Sequence, residues 1–355
     1  MSKYLSERFS SIEPYTPGEQ PKVSGLIKLN TNESPFPPSP KVIEAINGSE
    51  VEKLNLYSDP VCSELIRAIA DELGVAPDNI MPGNGSDEIL AFSFQAFCDR
   101  DNQPVFADIT YGFYPVFCEL FGLCPTVIPL DIELKVSPED YIGMNRPIFI
   151  ANPNAPTGLA LGLDDIERIV SGNDSIVLID EAYVDFGAES TVSLIGKYKN
   201  LIVSRTFSKS RNLAGARLGF AVADKELISD LNKMKFSFNP YNINRLTSAA
   251  GIAAIKDRSY FERCITAVCS AREYTVSELE KRGFSSPVSK ANFIFPEHKK
   301  ISGKYYFKEL RKRNILVRYF PAERTENHVR ITIGSMEQMQ KLISATDDIL
   351  DKVTL

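Results

Sequence analysis

Between residues 60 and 225 the apolar positions follow two interleaved patterns. Short continuous runs at 104–107, 148–151, 176–179, 201–203 and 218–222 are rich in Val, Ile, Leu and Phe. A strand with one wet face alternates apolar and polar residues, so uninterrupted runs of this length predict strands covered on both faces. The segments between them have helical spacing. In SELIRAIADEL, residues 63–73, Leu65, Ile66, Ile69 and Leu73 share one face, and LDDIERIV, residues 163–170, behaves similarly. NIMPGNGSDEILAFSFQAF, residues 79–97, predicts a short strand, a glycine turn and a helix whose first turn holds Ser86, Asp87 and Glu88. Strands alternating with helices predict an α/β fold with a mostly parallel central sheet.

The last hundred residues differ. They predict a long helix around 260–282, short strands near Phe293 and Ile331, and a closing helix in MEQMQKLISATDDIL. This is the pattern of a smaller α+β domain. The first forty residues are rich in Pro and Asn and predict an irregular arm. The expected division is therefore an arm and part of the small domain at 1–39, a large domain at 40–250, and a small C-terminal domain at 251–355. A chain of 355 residues exceeds one simple core, which agrees with two domains.

Composition narrows the function classes. Hydrophobic residues make up 43% and charged residues 24%, with a formal net charge of -6, as in an ordinary globular protein. There is no basic stripe, so no nucleic-acid partner is expected. No apolar run reaches about 18 residues, and the first twenty lack the apolar core of a signal peptide, so no membrane span or export is expected. Cys62, Cys98, Cys118, Cys124, Cys264 and Cys269 form no C-x-x-C and are expected to be reduced thiols of a cytoplasmic protein. The only histidines, His298 and His328, argue against a zinc site and against a His-activated nucleophile, and no metal is expected.

The polar residues that could carry chemistry fall where the strands end. In open α/β sheets, ligands bind beyond the carboxyl ends of the strands. VLIDEAY leaves its strand at Asp180, IFIANPNAPTG at Asn152, and LIVSRTFSK at Thr206, Ser208 and Lys209. MPGNGSDE offers free backbone N–H groups at a helix start, a natural phosphate cradle. Each feature alone has a duller explanation: a capping Asp, an ordinary glycine turn, a surface lysine. Together, and in this order, they predict one ligand carrying a phosphate and a cationic ring or amine.

These residues also carry a resemblance. DEAY followed about two dozen residues later by SRTFSKSRNLAGARLGF resembles the fold-type I aminotransferases that use pyridoxal 5′-phosphate. IEPYTPGE, KLNTNESPFPPSP, YSDP, GNGSDEIL, TYGFY, NPNAPTG and ILVRYF…HVRITIGS are similar, in order from about Tyr15 to Ser335, to the histidinol-phosphate aminotransferase family. The resemblance implies an enzyme that moves an amino group between L-histidinol phosphate and 2-oxoglutarate in histidine biosynthesis. An aromatic amino-acid aminotransferase or a phosphothreonine decarboxylase of the same fold is the alternative.

The resemblance also implies roles. Lys209 would hold the cofactor as an internal imine and then shuttle a proton. Asp180 would pair with the ring nitrogen, and Tyr183 would donate to the ring's phenolic oxygen. Gly85, Ser86, Thr206, Ser208 and Arg217 would hold the phosphate, Arg217 through its fork of donors. Asp87 would belong to the same cofactor site, and Tyr111 would stack on the ring. Tyr57 would reach the phosphate from a partner subunit, implying a homodimer. Tyr15, Asn32, Arg318 and Arg330 would bind substrate, the two arginines gripping the phosphate of one substrate and a carboxylate of the other. One position departs from the family pattern. The asparagine before P-T-G is here Ala155, so Asn154, Asn152 or Tyr183 alone would bond the phenolic oxygen, and Asn154 is the expected cofactor contact.

Overall fold

The computed structural model describes residues 2, 4–10, 12–21, 24–47 and 49–354. Its centre is a seven-stranded sheet of β1 (Ile80–Gly83), β2 (Val105–Ala107), β3 (Thr126–Ile128), β4 (Ile148–Ala151), β5 (Val177–Asp180), β6 (Leu201–Thr206) and β7 (Gly219–Ala223). The spatial order is β1-β7-β6-β5-β4-β2-β3. Only β7 runs against its neighbours, pairing antiparallel with both β1 and β6. The remaining pairs are parallel, so β2 to β6 all deliver their carboxyl ends to one edge.

The continuous apolar runs have the cause the sequence suggests. Ile148, Ile150, Val177, Ile179, Leu201 and Val203 face one layer, where Leu65 and Ile69 of helix Ser63–Leu73 and Ile166 and Ile169 of helix Leu163–Ser171 cover them. The residues between, Phe149, Leu178 and Ile202, face the other layer, against Ile89, Leu90 and Phe94 of helix Ser86–Phe97 and Phe117 of helix Phe113–Phe121. Period two therefore buries every residue, because both faces are dry. β3 is not among the sequence-predicted strands. It is three residues long, at the sheet edge, and Val127 is 48% exposed, so it lacks the apolar continuity that marks the inner strands.

A second core gathers residues far apart in the chain. Leu279 of helix Arg258–Lys281, Ile294, Tyr306 and Leu310 of helix Gly303–Lys312, Ile331, and Leu342 of helix Met336–Thr354 pack together, and Leu29 joins them. Leu29 is brought there because Ile27–Lys28 pairs in parallel with Ile315–Leu316. Phe293–Ile294, Val329–Thr332 and Arg318–Tyr319 form a small antiparallel sheet with Val329–Thr332 in the middle. No helix of the described residues is long and apolar enough to cross a membrane.

The two-sided packing makes a testable demand on the sheet. Phe149 is fully buried, and its ring stacks on Phe94 with centroids 4.0 Å apart. Phe149→Ala is expected to lower stability by about 3–5 kcal/mol, read as a lower urea midpoint at unchanged slope. A loss below about 1 kcal/mol would mean that this layer is not close-packed.

Candidate active site

A cavity of about 760 Å³ opens at the carboxyl edge of the sheet, within the usual range for small-ligand sites. Its wall brings together residues from three parts of the chain: the arm (Tyr15, Asn32), the sheet edge (Asp180, Tyr183, Lys209), and the small C-terminal sheet (Arg330).

Asp180 is the last residue of β5, and its Cα partner in β6 is Ser204. It is 5% exposed, and its Oδ1 has no hydrogen-bond partner among the described residues. Burial first, and then the nearby Asp87 carboxylate, push the Asp180 carboxyl up to about 7. A buried carboxylate held at a cavity wall with a free oxygen is suited to a cationic N–H donor. Lys209 lies in the turn after β6 and points to the same space. Its Nζ donates to the Thr31 carbonyl at 3.4 Å and lies 5.8 Å from the centre of the Tyr183 ring. Burial, and then the positive charge of Arg330, bring the Lys209 amine down to about 8. A neutral amine, the nucleophilic form, is therefore accessible near physiological pH.

Helix Ser86–Phe97 starts with no side-chain cap: its N-cap is Gly85, with φ 81°. Its first N–H groups are left to a ligand, and the helix dipole favours an anion there. A Cβ on Gly85 would lie 2.6 Å from Arg217 Nη2, and one on Gly219 would lie 2.5 Å from Gly85 C and Ser86 N. Glycine at both places lets the helix start, β7 and the Arg217 guanidinium close into one cradle. Arg217 donates to Asp87 Oδ2 at 2.9 Å, and Tyr111 donates to Asp87 Oδ1 at 2.6 Å. Thr206 and Ser208 put hydroxyls 3.0 Å apart on the remaining side. The free Asp180 oxygen, the glycine-lined cradle and the lysine amine fit a ring nitrogen, a phosphate and an aldehyde respectively, three of the four polar groups of pyridoxal phosphate.

Another part of the wall is basic. Arg318 and Arg330 are Cα partners on neighbouring antiparallel strands. Like charges directly opposite across a ladder repel, and neither arginine has a carboxylate within ion-pair distance among the described residues. Arg330 donates to the Asn30 carbonyl at 3.0 Å, and its buried Nε has no partner. Arg318 donates to the Thr16 carbonyl at 3.4 Å. Tyr15 packs on Phe113 with ring centroids 4.6 Å apart.

One expected contact lies elsewhere, and another, Tyr57, is expected at a partner's site. Asn154 does not reach the cavity wall. Its amide donates to the Ile109 carbonyl at 2.9 Å and to Thr157 Oγ1 at 3.2 Å, and its Oδ1 accepts from Thr110 at 2.9 Å. Both ends of the side chain hold the turn together, so a cofactor contact from Asn154 is not carried forward. Asn152 is likewise turned back, accepting from Leu161 N at 2.7 Å. Tyr57 is 78% exposed and outside this cavity, its ring stacked on Tyr241 at 4.5 Å. Sequence reasoning did not find the Thr31 carbonyl, Asn30 or Phe320, which also line the cavity. The quoted stretch KLNTNES contains the first two, but a backbone acceptor has no side-chain signature.

The chain matches the family model of class I and II aminotransferases over residues 24–345. It is 50% identical over 341 residues to the histidinol-phosphate aminotransferase of Brachyspira hyodysenteriae, covering 96% of each chain. It is 47% identical over 354 residues to that of Clostridium botulinum, covering 99% of this chain and 100% of the relative. Among solved structures, the histidinol-phosphate aminotransferase of Sinorhizobium meliloti, in complex with pyridoxal-5′-phosphate, shares the fold with a TM-score of 0.90 over 99% of both chains, at 22% identity. The sheet with its one reversed strand, the lysine at the sheet edge and the near-complete match to these relatives lead to one assignment: the chain belongs to the class I and II aminotransferases, and among them to the histidinol-phosphate aminotransferase family.

Proposed function

We propose that the protein transfers the amino group of L-histidinol phosphate to 2-oxoglutarate, with pyridoxal 5′-phosphate, the cofactor of this family, held at the sheet edge. The observation that carries the substrate is the facing pair Arg318 and Arg330. Two guanidiniums set opposite each other without a carboxylate partner are stabilised by a ligand with concentrated negative charge. A phosphate monoester meets that need, and so does the distal carboxylate of a dicarboxylic acid. One pair of arginines can therefore serve both half-reactions. Tyr15 completes the substrate wall, while Asn32 lines the cavity with its side-chain amide held between Tyr183 and Thr332.

The bound cofactor supplies an electron sink for the carbanion formed when the substrate loses its α-proton. The protein's residues do the rest. Lys209 offers an amine, lowered to about 8, that would hold the cofactor and would move a proton to and from the substrate carbon. Asp180, buried with a free oxygen, would hold a negative charge beside the ring nitrogen, where desolvation would strengthen the interaction. Tyr183 would donate to the ring oxygen. Ser86, Arg217, Thr206 and Ser208 would hold the phosphate, and Tyr111 would stack on the ring. Arg318 and Arg330 would hold the substrate's anionic end in the same cavity that Lys209 lines, which would orient the reacting carbon for proton transfer.

The separate cores support a cofactor-binding domain at 40–250 and a small domain at 251–355 joined by the 1–39 arm. A homodimer accounts for Tyr57, Leu54 and Leu56, which are each more than half exposed on one surface. In it, Tyr57 would enter the partner's phosphate cradle. Six unbridged cysteines support a cytoplasmic location.

The first test is the visible absorption of the purified protein. The band of the lysine-bound cofactor is expected to disappear on adding L-histidinol phosphate and to return with 2-oxoglutarate. A band that ignores histidinol phosphate but responds to phenylalanine or phosphothreonine would discard this substrate. Arg330→Ala is expected to raise KM by about 10²-fold for both the phosphate donor and 2-oxoglutarate, and a change confined to one of them would refute a shared clamp. Asp180→Asn is expected to lower kcat by about 10²–10³-fold. In the cofactor-free protein the same substitution has the opposite sign. A carboxyl raised from 3.8 to about 7 on folding contributes stability that is lost as pH rises through 7. Apo Asp180→Asn should therefore gain thermal stability over apo wild type between pH 5 and pH 8, and an equal difference at both pH values would contradict a buried, unmatched carboxylate.

A further inference from the structure

Asn32 belongs to a chain of hydrogen bonds whose direction is fixed. The amide Nδ2 of Asn32 donates to the Tyr183 hydroxyl oxygen at 3.0 Å. On its other side, Asn32 Oδ1 accepts from the Thr332 hydroxyl at 3.0 Å. That hydroxyl is itself oriented, because the Asn32 backbone N–H donates to Thr332 Oγ1 at 2.9 Å. With a lone pair of Thr332 occupied by the backbone, its one proton goes to Oδ1 and holds the NH₂ end toward Tyr183. The backbone is held as well. Asn32 has φ 56°, a left-handed conformation that asparagine tolerates better than most residues, and Asn292 donates to its carbonyl at 3.0 Å. Asn32, Asn292 and Thr332 are all nearly inaccessible to solvent, so water does not compete for these bonds.

The consequence falls on Tyr183. An amide N–H can only donate, so the Tyr183 oxygen accepts from Asn32, and its own proton must leave in another direction. Among the described residues that proton has no acceptor, and the ring stands edge-on against Phe293 with centroids 5.0 Å apart. The direction left is the cavity. We propose that Asn32, set by Thr332, is a positioning residue that makes Tyr183 an obligate hydrogen-bond donor into the cavity. The proposal rests on reading the cavity as a pyridoxal-phosphate site, where the acceptor is the ring's phenolic oxygen. It also assigns a function to the substitution at Ala155. With no asparagine side chain there and with Asn154 turned away, the donor capacity toward that oxygen lies with Tyr183, and Asn32 keeps it pointed.

The test uses the holoenzyme and the pH midpoint of its visible band. A donor to the ring oxygen stabilises the deprotonated form of the lysine-bound cofactor and lowers that midpoint, so losing the donor raises it. Asn32→Gly removes the amide yet permits the left-handed backbone. It is expected to raise the midpoint by about one pH unit and to weaken retention of pyridoxal phosphate on dialysis. Tyr183→Phe should raise the midpoint at least as far, and adding Asn32→Gly to it should change nothing more. Thr332→Val leaves Asn32 in place but frees its amide to turn, and should move the midpoint the same way by a smaller amount. If Asn32→Gly does not fold, Thr332→Val decides the question. A band whose midpoint is unmoved in these variants, or a shift that persists in the Tyr183→Phe background, overturns the inference while leaving the cofactor site intact. A wild-type protein with no visible band would overturn the site itself.

Discussion

Two groups drawn out of water, the buried carboxylate of Asp180 and the half-buried amine of Lys209, sit at the ends of adjacent parallel strands. That placement is the constraint on which the site depends. Asp180 pairs with Ser204, and Lys209 follows five residues later, so both groups reach one edge only because β5 and β6 run the same way. Parallel strands require crossover connections, and the connecting helices cover both faces of the sheet. The dry, rigid support and the shared edge thus have a single origin. Burial shifts both groups in the direction that disfavours charge, the carboxyl up to about 7 and the amine down to about 8. A ligand with a cationic nitrogen and a reactive carbonyl offsets what folding leaves unmatched.

The second wall shows the same logic with the opposite charge. An antiparallel ladder sets Arg318 and Arg330 face to face, an arrangement that works against stability on its own. The arm accommodates it by offering the carbonyls of Thr16 and Asn30 to the two guanidiniums, polar enough to hold them and too weak to neutralise them. The charge remains available to an anion. The cavity therefore carries the carboxylate of Asp180 in one part of its wall and the pair Arg318 and Arg330 in another, a charge pattern matched by an amino compound with an anionic tail.

Much of this was legible in the chain. The inner strands announced themselves because two dry faces force every position to be apolar. Lys209, Asp180 and Arg217 were legible because each is tied to a strand end by a few residues of local sequence. β3 escaped because an edge strand with an exposed residue carries no such mark. Asn154 was misplaced for a different reason. Spacing locates a residue in a turn but does not say which side of the turn its amide faces, and here the turn uses both ends of the side chain for its own bonds. The Asn32–Thr332 pair spans 300 positions, beyond any local pattern.

The sequence by itself determined the alternation of strands and helices, the strand-end position of the chemical groups and the family, because these depend on periodicity and on short stretches of neighbouring residues. Only the tertiary structure decided that the two arginines face each other, that the arm pairs with Ile315–Leu316, and that the Asn32 amide donates to the Tyr183 oxygen. Those properties belong to pairs of distant groups, and their geometry exists only once packing has fixed both partners.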